Sequence, residues 1–189
     1  MKVTKKEFIE NKEFYFNEIK KGKIFVYPTD TVYGIGCDAS KPKGIERIRK
    51  IKKRYDKPFS IIVPNKKWIT DNCYVRERDL VFLNKLPGKY TLIFKVKNYS
   101  GFSREELISD KENVGVRIPD NWFAKFLGEK NVLFVTTSVN LSGKAPATRL
   151  KYLDEGIPGE VDFVIDDGDL GNTPSKVIDL SGEEIKIIR

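Results

Sequence analysis

The sequence predicts an α/β protein built on a mixed, twisted sheet. Three observations carry this. Short apolar runs that read as buried strands alternate with amphipathic stretches of helical period through the first half of the chain. Near the end, the runs 177–180 and 185–188 lie close enough to pair as a hairpin. Two core strands, Ile24 to Tyr27 and Val132 to Val135, then break off into hydroxyl, amide and glycine residues, at 28–39 and at 136–143. A core strand that ends in hydrogen-bonding groups and permissive backbone is how such folds build a ligand crevice. Two such ends predict one site assembled from both.

The elements follow in order. Thr4-Lys5-Lys6-Glu7 is a capping box that opens a helix to about Lys20, with Phe8, Phe16 and Ile19 among its apolar positions. Gly22 ends it. Lys23 to Tyr27 is the first strand. Pro42 precedes a second helix, Gly44 to Lys53, in which Ile45, Ile48 and Ile51 recur every third residue and Arg47, Lys50 and Arg54 fall on other faces. Phe59 to Val63 reads as a strand and 65–86 as helical, up to Leu86-Pro87-Gly88. Tyr90 to Val96 and Val114 to Ile118 are strands, Trp122 to Leu127 a short helix, and Val132 to Val135 and Val161 to Ile165 further strands. No linker or repeat divides the chain, so residues 1–189 read as a single domain.

With 40% hydrophobic and 12% aromatic residues the chain has the means to bury a core. No apolar run approaches the roughly 20 residues of a membrane span. The charged Met1-Lys2-Val3-Thr4-Lys5-Lys6 start lacks an apolar signal core, so the expected location is the cytoplasm. Much of the formal charge of +8 gathers in Arg47 to Arg54. Such a run faces nucleic acid, nucleotide phosphates or only water. Cys37 and Cys73, without CxxC spacing, read as packing residues. The chain has no histidine. That excludes Ser-His-Asp and Cys-His triads, HExxH zinc sites and histidine bases. Chemistry is left to Lys, Arg, Asp, hydroxyls, amides, backbone dipoles or a magnesium-bound ligand, a set suited to phosphate transfer. No protein-held metal is expected.

Each constellation has a bland reading beside a functional one. Thr29, Asp30, Thr31 and Tyr33, next to Gly34 and Gly36, form either a self-capped turn or a ligand loop. Lys52 and Arg54, with Lys57-Pro58 beyond, are either a solvated helix end or a clamp converging on one anion. Pro87-Gly88-Lys89-Tyr90-Thr91 is a turn before a strand. Arg117, between apolar strand residues, needs an anionic partner if buried and none on an edge. Ser138, Asn140 and Ser142 alternate along an extended segment and can line one wall, or simply leave the sheet. Pro174-Ser175-Lys176 enters a strand.

Taken in order, PTDTVYGIGCDA at 28–39, Lys52-x-Arg54 with Lys57-Pro58, PGKYT at 87–91, GVRIPD at 115–120, SVNLSG at 138–143, PSKVIDL at 174–180 and the final IIR resemble the YrdC-domain family of threonylcarbamoyl-AMP synthases, in its single-domain form. The resemblance runs from about residue 22 to the end. It implies a twisted open mixed sheet flanked by helices, with a positively charged concave face. It implies a nucleotidyltransferase that joins L-threonine, bicarbonate and ATP, carried with Mg2+, into threonylcarbamoyl-AMP and pyrophosphate. A partner transferase then modifies tRNA to threonylcarbamoyladenosine. By the same resemblance Thr31, Arg117, Thr136 and Ser175 hold threonine. Arg54, Lys57, Asn113, Ser138 and Arg189 hold ATP, and Lys52, Arg54, Ser138 and Asn140 carry catalysis. The chain departs from the family at four points. Tyr55-Asp56 is one residue shorter than usual between Arg54 and Lys57, Thr137 replaces a proline, Val139 replaces an alanine, and Lys176 replaces a threonine.

Two other readings compete. One is a non-catalytic paralogue that binds double-stranded RNA or tRNA through phosphates. The other is a carbamoyl-handling domain like that of hydrogenase-maturation carbamoyltransferases, which usually sits in longer chains with zinc-finger segments.

Overall fold

The computed structural model describes every residue except 56, 108–111, 142 and 172. The readings that involve Asp56 and Ser142 therefore lie outside the described residues.

Thr4 caps the first helix as the sequence requires. Its Oγ1 accepts the Glu7 N–H at 3.2 Å, and Glu7 Oε2 accepts the Thr4 N–H at 2.7 Å. The single helix expected to Lys20 is instead two, Lys5–Glu10 (α1) and Lys12–Lys20 (α2). At Asn11 the side-chain amide donates back to the Glu7 carbonyl at 2.9 Å while the backbone leaves helical angles. Short amide side chains compete with the helical ladder in this way. Gly22, at φ +82°, closes α2. The Gly22 and Lys23 N–H groups donate to the Ile19 and Glu18 carbonyls, the paired bonds of a Schellman ending.

Among the described residues ten strands form one sheet: Lys2–Thr4 (β1), Phe25–Tyr27 (β2), Gly34–Gly36 (β3), Ser60–Ile62 (β4), Tyr90–Lys95 (β5), Asn113–Arg117 (β6), Phe134–Ser138 (β7), Phe163–Asp166 (β8), Lys176–Asp179 (β9) and Lys186–Ile187 (β10). Their order is β1-β8-β2-β3-β7-β4-β6-β5-β9-β10, with β1 and β10 as open edges. β1 and β2 run parallel to β8, β4 to β6, and β5 to β9. The remaining pairs are antiparallel, including the expected closing hairpin of β9 and β10. The helices are completed by Pro42–Lys52 (α3), Lys66–Asn72 (α4), Leu80–Leu83 (α5), Arg104–Leu107 (α6), Trp122–Glu129 (α7) and Ile157–Glu160 (α8). α3 begins at Pro42, whose fixed φ suits the first helical turn, and ends where Lys53 turns left-handed at φ 50°. The stretch 65–86 is broken. α4 stops before Cys73, which bridges to Val96, and a 3-10 turn at Glu77–Asp79 leads into α5.

β3 lies inside the segment read as a loop. Glycine is depleted in strands, so Gly34-Ile35-Gly36 carries no strand signal. Tertiary contact demands it. A Cβ on Gly36 would stand 1.9 Å from the Val135 carbonyl oxygen, and one on Gly34 would stand 2.9 Å from the Tyr27 ring.

Alternate residues of each strand serve opposite faces. Ile24, Val26, Ile61, Leu92, Val116 and Val135 pack on one face with Ile45, Ile48 and Ile51 of α3. Phe25, Tyr27, Ile62, Phe134, Phe163 and Ile165 pack on the other with Phe8, Ile19, Phe123 and Leu127 of α1, α2 and α7. That second group stops at β4. Farther along, the alternating positions change character: Ser60, Thr91, Asn113, Gly115, Arg117 and Asp179 line a cavity instead. The site is thus the uncovered half of one sheet face.

Gly36→Ala is expected to lower unfolding free energy by more than ~2 kcal/mol in urea denaturation, because a backbone carbonyl cannot swing aside as a side chain can. Gly156→Ala, with nothing within 4 Å of the added carbon, should leave the midpoint nearly unchanged.

Candidate active site

All eleven residues singled out from sequence line this one cavity, whose volume is about 940 Å3. They arrive from the loop after β2 (Thr31), the end of α3 and the loop beyond it (Lys52, Arg54, Lys57), β6 (Asn113, Arg117), the end of β7 and its exit (Thr136, Ser138, Asn140), and the C-terminal segment (Ser175, Arg189). Lys144 joins them. Among the described lining residues the cations are Lys52, Arg54, Lys57, Arg117, Lys144 and Arg189, and the carboxylate is Asp179.

The floor toward β6 is built around Arg117. Its guanidinium is buried, and one Nη donates to Asp30 Oδ1 at 2.9 Å and to Thr31 Oγ1 at 3.3 Å. The anionic partner that a buried Arg117 demands is therefore Asp30, whose other oxygen accepts the Asp120 N–H at 3.1 Å. Sequence placed Asp30 in the right loop without pairing it. Thr29 Oγ1 donates to the Val32 carbonyl at 2.7 Å, so at the 2.9 Å Thr29–Thr31 contact the Thr31 hydroxyl is the donor. Thr136 has a partner the sequence did not indicate. Tyr27, lying over Gly34, donates its hydroxyl to Thr136 Oγ1 at 2.6 Å. Burial holds the phenol far above its ordinary value, so it stays a donor. Thr136 accepts there and keeps its own O–H to donate. Ser175 Oγ meets Thr91 Oγ1 at 2.9 Å, and the Ser175 carbonyl accepts from Arg189 Nε at 3.1 Å.

The opposite wall holds Lys52 and Arg54. Lys52 is 2% exposed, and its ammonium donates to the carbonyls of Ser138 and of Asn140, the latter at 2.7 Å. Its visible work is to tie the end of α3 to the exit of β7. Burial first, and then the charge of Arg54, push it down to about 7, while Asp154 acts the other way. Arg54 donates to the Pro58 carbonyl at 3.0 Å and to Thr137 Oγ1 at 3.3 Å, with its guanidinium 5.2 Å from the Phe59 ring centre. Burial and the neighbouring Arg49 and Arg189 hold it below its usual value. Arg49 shapes the loop by donating to the Lys57 carbonyl at 3.0 Å. Ser138 Oγ donates to Asn140 Oδ1 at 2.6 Å, and Asn140 Nδ2 donates to the Leu141 and Lys144 carbonyls at 2.9 and 2.8 Å. So Asn140 braces its own turn: the chain leaves the sheet after Ser138, one of the two readings of this segment, while Ser138 and Asn140 still line the cavity. Asn113 Nδ2 donates to Ser181 Oγ at 2.8 Å.

The loop departures resolve differently. Tyr55 is 64% exposed, and Lys176 is exposed outside the cavity lining, on the alternate face of β9.

Among the described residues Arg54 Nε and Arg117 Nε are buried with no hydrogen-bond acceptor. An orphaned buried donor costs about 1–3 kcal/mol. Two guanidinium groups in one cavity thus each retain a buried donor for an oxyanion.

A family profile described as "Telomere recombination", covering Sua5, YciO and YrdC proteins, matches residues 17–189. The chain belongs to the Sua5/YciO/YrdC family. It is 36% identical over 180 residues to a Methanocaldococcus jannaschii protein provisionally named threonylcarbamoyl-AMP synthase, covering 94% of this chain and 84% of that one. It is 29% identical over 177 residues to the human threonylcarbamoyl-AMP synthase, covering 87% of this chain and 61% of that one. The fold is shared with P. abyssi Sua5 in a structure complexed with L-threonine (TM-score 0.85, 25% identity, 100% of this chain and 56% of that one). It is shared equally with E. coli YciO (TM-score 0.85, 25% identity, 100% and 93%), and the E. coli sequence relative carries the name "Uncharacterized protein YciO". Relatives of this Sua5/YciO/YrdC protein thus include named synthases and proteins without a named activity. Among its described residues no helix is long and apolar enough to cross a membrane.

The depressed Lys52 ammonium gives a test by pH. Below about 7 folded and unfolded chains both hold its proton; above that the folded chain releases it, while the unfolded chain keeps it up to the ordinary 10.5. The unfolded state then binds more protons, and stability rises with pH across that window. Lys52→Met should flatten the rise in urea midpoints measured as a pH series. An unchanged slope would remove Lys52 as its source.

Proposed function

We propose that this protein is an L-threonylcarbamoyladenylate synthase, a nucleotidyltransferase that makes threonylcarbamoyl-AMP and pyrophosphate from L-threonine, bicarbonate and magnesium-bound ATP. The observation that carries it is the pair of buried guanidinium groups with orphaned Nε donors lining one cavity. The substrates are anions that repel one another, and such a site holds two of them close.

Arg117, with Thr31, Thr136 and Ser175 around it, receives the threonine carboxylate and hydroxyl. The threonine amine forms its bond to the bicarbonate carbon with loss of the elements of water, giving a carbamate. A carbamate oxygen then attacks the α-phosphorus of ATP. The new oxygen–phosphorus bond forms as the bond to the β-phosphate oxygen breaks, and pyrophosphate leaves. Arg54, with Lys57 and Arg189, offsets charge on the phosphates, while Asn113 and Ser138 flank the nucleotide. Lys52 and Asn140 fix the turn on which Ser138 sits. Positioning and charge neutralisation suffice for such a displacement, and no histidine is needed. The magnesium ion enters with the nucleotide as part of the substrate. The product would pass to a transferase that modifies tRNA, and the cytoplasm, where tRNA is found, is the setting this reading implies.

Purified protein with ATP, magnesium and L-threonine should release pyrophosphate only when bicarbonate is present, with the adenylate visible by mass spectrometry. Arg54→Ala and Lys52→Ala should each lower the rate at least 100-fold, the order expected for losing a transition-state contact or its alignment. Absence of release, together with salt-sensitive tRNA binding, would favour a non-catalytic RNA-binding protein.

A further inference from the structure

Asp154 belongs to none of the sequence motifs and does not line the cavity, yet it backs the turn that does. It follows the short 3-10 turn Leu150–Tyr152 and precedes α8, where its carbonyl accepts the Ile157 N–H at 2.9 Å. Its Oδ2 accepts the Leu141 N–H at 2.8 Å, and its Oδ1 accepts the Lys144 ammonium. The carboxylate thus brackets residues 141 and 144 from outside. From inside, Asn140 Nδ2 donates to the carbonyls of the same two residues, 141 and 144. Lys52 holds the start of the turn through the Ser138 and Asn140 carbonyls. Tyr33 frames the whole: its carbonyl accepts the Val139 N–H at 3.0 Å, and its N–H donates to the Ala147 carbonyl at 2.9 Å.

We propose that Asp154 is a positioning residue that fixes the 138–144 turn and the Lys52 ammonium relative to the substrates. This rests on the synthase reading above. The charged groups acting on Lys52 are Arg54 on its own wall and Asp154 behind the turn, with Lys144 paired to Asp154. Asp154 is the anion that offsets the like-charged neighbour. Its carboxylate is shared with Lys144, so what reaches Lys52 is a partial offset.

The sign of the effect follows. Neutralising Asp154 leaves Lys52 facing Arg54 uncompensated, so the ammonium gives up its proton at lower pH. Activity that depends on the charged form then fails at lower pH. A side chain that served only to hold the fold would change stability and leave this profile in place.

The test compares wild type with Asp154→Asn, which is nearly isosteric and keeps an acceptor for Leu141, and with Asp154→Glu. Two quantities are read: the pH profile of threonine-dependent pyrophosphate release, and the Lys52 titration midpoint from 13C-labelled lysine NMR. For Asp154→Asn the expected result is a kcat lower by about 10- to 100-fold, the scale of a misplaced catalytic wall, with KM for ATP little changed. The alkaline limb and the Lys52 midpoint should both move to lower pH. Asp154→Glu should restore the midpoint, since it restores the charge. An unmoved midpoint in a folded Asp154→Asn protein overturns the inference, as does a wild-type kcat and profile. If the asparagine variant fails to fold, Lys144→Met, which removes one of the two bonds, supplies the comparison. Its midpoint should stay at or rise above the wild-type one, since the Asp154 charge remains and its paired cation is gone, and a collapse to lower pH would overturn the assignment of that charge to Asp154. A wild type that releases no pyrophosphate overturns the synthase reading instead, and the Lys52 midpoint then decides the inference by itself.

Discussion

Lys52 carries an ammonium inside the protein, where an uncompensated charge costs several kcal/mol. The carbonyls of Ser138 and Asn140 receive it. That one connection joins the end of α3, from one side of the sheet, to the exit of β7 at its centre. Much of the cavity depends on it. Through Asn140 it reaches the turn at 141–144, and through the short loop after α3 it sets where Arg54 can lie against Phe59 and Pro58. Arg117 poses the same problem on the opposite wall and solves it with Asp30. In both places the fold spends its pairing partners incompletely, so that donors remain for a ligand. Stability and function here draw on the same few charges.

The sheet makes this arrangement possible. Its aromatic-rich half, with Phe8, Phe123 and Phe134 packed edge to face between sheet and helices, anchors one face tightly. The half beyond β4 is covered on one side only. Strands that alternate Val114, Val116 inward with Asn113, Gly115, Arg117 outward turn the second side into a polar floor. Gly115 keeps that floor low, since a Cβ there would stand 2.5 Å from Ser60 Oγ.

The sequence announced the parts of this site better than their wiring. Apolar runs such as 24–27, and the three-residue spacing of Ile45, Ile48 and Ile51, state burial directly, and those elements are where periodicity puts them. β3 was illegible because its glycines answer to Val135 and Tyr27, which only the folded sheet brings near. The break at Asn11 hides in an unremarkable amphipathic stretch. Residues that lie on motifs converged on the cavity. Tyr27, which fixes Thr136, and Asp154, which backs the turn, lie in plain strand and loop sequence and act only through pairing across the fold. A buried arginine foretells that an acid must exist; it does not say which one.

The central claim is that one cavity receives an amino-acid carboxylate at Arg117 and nucleotide phosphates at Arg54 together. Calorimetric titration of L-threonine into protein saturated with a non-hydrolysable, magnesium-bound ATP analogue tests it most directly. The account predicts that threonine still binds, and that Arg117→Met abolishes its heat while the analogue continues to bind. Mutual exclusion of the two ligands, or threonine binding indifferent to Arg117, would contradict it.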